Sequence, residues 1–174
     1  MNATSGPPPL RPLDLLGVLN DHDVNYVVIG GFALGAHNAT RATKDVDIVP
    51  DPHPANLDRL WTALMSLEAS PLPLVDFGAE EMPLDWSRDS LDYGGNWILS
   101  TRLGRLDILQ YVAGVDSYEQ LRTNAVDDIA AEAGRIWFAG RDDLIAMKQA
   151  AGRPQDLLDI ERIERVGDDP LTGF

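Results

Sequence analysis

Leucines at 13, 16 and 19, with Leu15 beside them, recur at helical spacing and predict a helix across residues 12–22. Tyr26 to Ile29 is a short apolar run rich in β-branched residues and reads as a buried strand. Gly30-Gly31 then turns the chain, residues 32–37 read as a short helix, residues 38–44 as a loop and residues 45–49 as a second strand, ended by Pro50, Pro52 and Pro54. The clearest helix covers 54–69, where Leu57, Leu60, Trp61, Leu64 and Leu67 share one face and Pro54 stands near the start. Residues 70–95 break every periodicity with Pro71, Pro73, Gly78, Pro83, Gly94, Gly95 and a cluster of acids, which predicts a long, partly irregular and functional segment. Two strands follow at 96–101 and 106–111, joined through Gly104 as a hairpin, then a short helix at 116–124 and a strand pair at 125–130 and 135–139 around Gly134. Two helices, 141–151 and 154–165, separated by Gly152-Arg153-Pro154, complete the chain.

The length of 174 residues predicts one domain at 12–174, made of a sheet-containing core (12–140) and a C-terminal helical pair (141–165), after a flexible lead-in at 1–11. That lead-in lacks the basic flank and apolar core of a leader peptide, and no run is long enough for a membrane span, so no membrane partner is expected. With 14 basic and 28 acidic residues the net charge is −14, which argues against non-specific nucleic-acid binding while leaving room for a local basic site or a basic protein partner. Cysteine is absent; this removes disulfides and thiolate metal sites and fits a cytoplasmic location.

The chemistry concentrates in Asp45-Val46-Asp47. Side chains at i and i+2 of a strand point the same way, so both carboxylates share a face while Val46 enters the core. Such a pair fits either a solvated edge or a hard divalent cation. The flanking Val46, Ile48 and Val49 argue for a buried strand, on which charges need partners. Gly30-Gly31, taken alone, fits a tight turn as well as a loop whose backbone N–H groups approach a phosphate. Asp107 is either a hairpin surface residue or, if its strand lies beside 45–49, the third carboxylate of a cluster. Lys148 is either one more cation on a solvated helix face or a lysine reaching a triphosphate. Asp156, three residues after Arg153, pairs with it or orients Lys148. The four tryptophans, 61, 86, 97 and 137, read as core, with Trp86 also able to cover a pocket, and His37 as a packing residue near the glycine turn.

Together, Gly30-Gly31-Phe32-Ala33, Arg41-x-Thr43-Lys44-Asp45-x-Asp47 and the strand residue Asp107 resemble the DNA polymerase β-like nucleotidyltransferase superfamily. The opening is similar to that of aminoglycoside nucleotidyltransferases. The tail Lys148-x-x-x-Gly152-Arg153-x-x-Asp156-x-x-Asp159 looks like the AbiEii/MenT branch of toxins in toxin–antitoxin pairs. The resemblance implies an α/β (α+β) fold, a mixed β-sheet packed with helices, and transfer of a nucleoside monophosphate from an NTP to an acceptor hydroxyl. It implies two Mg²⁺ ions held by Asp45, Asp47 and Asp107, with Lys148 offsetting triphosphate charge and Asp156 fixing Lys148 or Arg153. Many members carry Gly-Ser where this chain has Gly30-Gly31, so the phosphate contact falls to backbone N–H groups, Thr43 or Lys44.

Three functions follow. The first is a toxin modifying tRNA 3′ ends, silenced by a cognate antitoxin acting at Thr43, with Arg41, Lys44, Arg102, Arg105, Lys148 and Arg153 as a local basic patch. The second is a small-molecule nucleotidyltransferase with an aminoglycoside- or lincosamide-like acceptor, for which the acidic 76–92 segment supplies charge. The third is a non-catalytic nucleotide-binding relative.

Overall fold

The computed structural model describes residues 8–72 and 86–166. The centre of the irregular 70–95 segment and most of the lead-in lie outside the described residues.

The chain opens with α1 (Pro12–Asp21), whose leucines 15, 16 and 19 are fully buried. β1 (Tyr26–Ile29) is buried along its whole length, as its unbroken apolar run requires. A four-residue turn of helix, α2 (Gly30–Ala33), continues into a 3-10 turn at Leu34–His37. The His37 ring bonds the Ala139 carbonyl at 2.8 Å, which gives this histidine a structural role. β2 (Asp45–Pro50) and α3 (Pro54–Ser66) follow. α3 ends before residue 69 because Glu68 turns left-handed, with φ of 54°. After β3 (Ser70–Pro71) and a 3-10 turn at Arg88–Tyr93 come β4 (Asn96–Thr101) and β5 (Gly104–Leu109). β5 starts and stops two residues earlier than the periodicity predicts. Gly104 already pairs with Thr101, and past Leu109 the Asn96 side chain takes both backbone groups of Tyr111. α4 (Tyr118–Asn124), β6 (Val126–Ala130), β7 (Gly134–Phe138), α5 (Arg141–Ala151) and α6 (Pro154–Val166) complete the order.

Among the described residues the strands form one mixed seven-stranded sheet in the order β3-β4-β5-β2-β1-β7-β6. β1 runs antiparallel to β2 and parallel to β7, whereas β2 and β5 are parallel. On one face of the β2/β5 pair Val46, Ile48, Leu106 and Ile108 are completely buried and join the core built with leucines of α1 and α3. Fixing those four on the core side forces their alternating neighbours, 45, 47, 105 and 107, onto the other face. Trp86 packs with tilted rings between Trp61 and Trp97, at 5.2 and 4.9 Å between ring centres. Trp137 instead carries the Arg122 guanidinium at 3.4 Å from its ring centre. No helix among the described residues is long and apolar enough to cross a membrane.

Candidate active site

Register builds the site. Asp47 pairs with Asp107 and Asp45 with Arg105 across the parallel β2/β5 ladder, giving a two-by-two grid of three acids and one arginine on a single face. On the other side of β2, Asp47 pairs with Ile29, so the chain leaves β1 for Gly30 beside this carboxylate. Gly30 has φ of +68°, and a Cβ there would stand 2.1 Å from Asp47 Oδ2. Gly31 is less constrained: a Cβ there would meet the movable end of the Arg41 side chain at 2.9 Å and the Thr43 hydroxyl at 3.1 Å. The two glycines therefore clear space for the acid and for the cationic loop that follows.

The grid forms the floor of a cavity of about 360 Å³ that also takes in Gly30, Gly31, Arg41, Lys148, Arg153 and Asp156. Leu109, Tyr111, Val112, Leu144 and Met147 make an apolar side. A larger groove of about 500 Å³ between Tyr26, Tyr118, Arg122 and Trp137 contains none of the grid residues. The sequence motifs converge on the smaller cavity.

Charge within the grid is unevenly satisfied. Arg105 donates to both oxygens of Asp107, at 2.9 and 2.7 Å, and lies 3.7 Å from Asp45. The Thr43 hydroxyl donates to Asp45 Oδ1 at 3.0 Å. The Asp47 carboxylate takes part in no hydrogen bond or ion pair with the described residues. Burial, then the neighbouring Asp45 and Asp107, push its carboxyl up to about 7, against the pull of Arg105 and Lys148. Burial also raises Asp107, opposed by its bond to Arg105.

Opposite the grid stands a cationic wall that α6 fixes. Asp159, fully buried, accepts from Lys148 Nζ at 2.8 Å, Arg41 Nε at 3.1 Å, Gln155 at 2.9 Å and Arg162 at 3.0 Å. Burial would raise this carboxyl, but these donors, Lys148 foremost, hold it below the usual carboxylate range. Asp156 is buried too and mainly grips Arg153, at 2.7 Å to Nε and 3.1 Å to the backbone N–H, with Lys148 further off at 3.7 Å. Lys148 is only 7% exposed along its side chain, so it is not a solvated helix residue.

Of the residues singled out by sequence, the structure gathers Gly30, Gly31, Asp45, Asp47, Asp107, Lys148, Arg153 and Asp156 around one cavity. Thr43 stands behind the lining, bonded to Asp45 and beside Gly31, and Lys44 is exposed and outside the lining. Trp86 packs with Trp61 and Trp97 and does not cover the cavity. Sequence reasoning gave Asp159 no role of its own and counted Arg41 and Arg105 only as patch cations. The available signals were spacing: Asp159 lies one turn after Asp156, and Arg105 two residues before Asp107 on a strand.

The residues fit a hard divalent cation by donor chemistry: three carboxylates on one face, one of them unpaired, with a glycine cleared against it. Among the described residues no group of three His, Cys, Asp or Glu side chains is placed to hold a metal ion as it stands; the Arg105 guanidinium is 2.7 Å from Asp107 and 3.7 Å from Asp45.

No family model and no curated protein matches the chain by sequence. Solved structures do match it by shape. The lincomycin-bound lincosamide antibiotic adenylyltransferase LnuA superposes with a TM-score of 0.54 at 14% identity, covering 91% of this chain and 99% of that one. ANT(2″)-Ia in complex with adenylyl-2″-tobramycin gives 0.53 at 11% identity, covering 88% of each chain. The solution structure of the same resistance factor gives 0.52 at 12% identity. The chain shares the fold of these solved structures. Within that fold these neighbours are antibiotic adenylyltransferases, so the toxin branch, the tRNA acceptor and the antitoxin rest on the C-terminal sequence motif alone.

Proposed function

We propose that this protein is a metal-dependent nucleotidyltransferase that moves a nucleoside monophosphate from an NTP to a hydroxyl of a small-molecule acceptor. The observation that carries the reading is the in-register Asp45/Asp47/Asp107 face opposite Lys148 and Arg153 in one cavity. The acceptor class draws on the antibiotic adenylyltransferase neighbours. It also suits the net charge of −14, which disfavours a polyanionic acceptor.

Asp45, Asp47 and Asp107 would hold Mg²⁺, whose chemistry is to neutralise charge on the phosphates and lower the pKa of the attacking hydroxyl. Lys148, held by Asp159, and Arg153, held by Asp156, present fixed cations to the triphosphate. Positions set in advance are not reorganised during reaction, which is where such stabilisation gains its effect. The Gly30-Gly31 backbone comes close enough for N–H contacts because no side chain intervenes. The apolar side at Leu109, Tyr111, Val112 and Met147 offers a surface for a flat base. In the transfer, the acceptor oxygen forms a bond to the α-phosphorus while the bond to the bridging oxygen breaks. Pyrophosphate leaves with that electron pair, and Asp107 receives the hydroxyl proton.

The test is incubation with Mg²⁺, each labelled NTP and separate panels of aminoglycosides, lincosamides and tRNA, read by product mass and pyrophosphate release. Nucleotidylated drug, lost in Asp45→Ala with folding intact, is the expected result. Label on tRNA alone would replace the acceptor assignment by the toxin reading. Nucleotide binding without product in any panel would refute the enzymatic one.

A further inference from the structure

We propose that Arg105 is the built-in counter-ion of the carboxylate grid while no metal is bound, and that it leaves Asp107 for the substrate's phosphates when the site is loaded. The inference rests on the metal-dependent reading above and deepens it.

The placement is dictated by register. Arg105 stands opposite Asp45 and two residues before Asp107, so its side chain has to rise from the same face as all three acids. Its guanidinium grips both oxygens of Asp107, at 2.9 and 2.7 Å, and reaches to within 3.7 Å of Asp45. A two-pronged grip of this kind takes one lone pair on each Asp107 oxygen, on the side from which the guanidinium also approaches Asp45. Those same lone pairs are what Asp107 would offer a dication shared with Asp45 and Asp47. A dication set beside a guanidinium would also be strongly repelled. The two cations are therefore alternatives at Asp107.

The opposite wall shows why the exchange concerns Arg105. Lys148, Arg41 and Arg153 are tied to Asp159 and Asp156 on α6, and these two acids lie outside the grid. Their pairing survives whatever the grid binds. Among the described cations that line the cavity, only Arg105 forms an ion pair with grid carboxylates. Once Asp107 and Asp45 are otherwise engaged, its charge needs a new anion. Its side chain is a third exposed and lines the same cavity that would receive the triphosphate. A guanidinium suits the forked geometry of phosphate as well as that of carboxylate, so the grip can be exchanged without loss of form.

The experiment uses the full chain with Mn²⁺ alone in calorimetry, and with Mg²⁺ in ¹H–¹⁵N spectra of the arginine Nε–Hε groups. The Arg105 signal is identified by its absence from Arg105→Gln. We expect R105Q to bind Mn²⁺ at least about tenfold more tightly than wild type, the difference of one charge-assisted grip. In wild type the Arg105 signal should move on adding Mg²⁺ and again on adding Mg²⁺ with a non-hydrolysable ATP analogue. Equal Mn²⁺ affinity in the two proteins, or an Arg105 signal that stays fixed at saturating Mg²⁺, overturns the exchange and leaves the metal site standing. Absence of Mn²⁺ binding in both proteins overturns the metal-dependent reading itself. If R105Q does not fold by circular dichroism, Arg105→Lys identifies the signal and the wild-type spectra decide.

Discussion

Replacing Asp47 by Asn should make the metal-free protein more stable while removing its activity. The Asp47 carboxyl is pushed from the ordinary 3.8 to about 7, first by burial and then by Asp45 and Asp107. One pKa unit is worth roughly 1.4 kcal/mol, so the shift sets a ceiling of roughly 4 kcal/mol on the penalty for ionising this group in the fold. Water entry and side-chain relaxation lower that ceiling, and we expect a gain of about 2–3 kcal/mol for D47N above pH 7, or about 5–10 °C in melting temperature. The sign follows from a folded-state pKa above the unfolded one. Wild type keeps the full contribution below 3.8 and loses it as pH rises to about 7, whereas D47N has no such loss. The two melting curves should therefore converge at pH 4 and separate progressively up to pH 8. The assay is thermal unfolding of both proteins in EDTA across that range, repeated with saturating Mn²⁺. The metal should stabilise wild type and have little effect on D47N. Transfer activity should fall at least about a hundredfold. A D47N protein that melts at or below wild type at pH 8 in EDTA would refute the picture of an uncompensated acid in the grid.

Asp159→Ala leaves Lys148 buried without its main partner and frees Arg41, so urea unfolding should show a loss of about 3–5 kcal/mol, with D159N losing less. At temperatures where D159N is folded, KM for the NTP should rise more than kcat falls, because the cations it positions meet the triphosphate. Gly30→Ala forces a Cβ into Asp47 at a φ of +68°; the variant should lose about 1–3 kcal/mol and bind Mn²⁺ more weakly, both readable by melting and calorimetry. Arg153 is 75% exposed along its side chain, but its partner Asp156 is buried and would keep only the backbone N–H at 153 and Lys148 at 3.7 Å, so Arg153→Ala should cost about 1–2 kcal/mol of stability and raise KM for the NTP severalfold in steady-state assays.

Much of this protein can be read along the chain because its signals are local. Leucine spacing places α1 and α3, and the apolar run before Gly30-Gly31 places β1. The Asp-Val-Asp alternation puts Asp45 and Asp47 on one face with Val46 behind them, since side-chain direction repeats every two residues of a strand. What the sequence could not decide is which strand lies next to β2. Only the order β5-β2-β1, with β2 and β5 parallel, sets Asp107 level with Asp47 and turns a hairpin residue into a member of the grid. Spacing on α5 leaves Lys148 looking like a surface lysine; α6 folding back over it buries the charge and supplies Asp159 as its closer partner, ahead of Asp156. Arg105 likewise reads as one more patch cation until β2 brings Asp45 alongside. Periodicity fixes which way a side chain points, but the charge it meets comes from residues distant in the chain, and only the packed sheet and helices choose that neighbour.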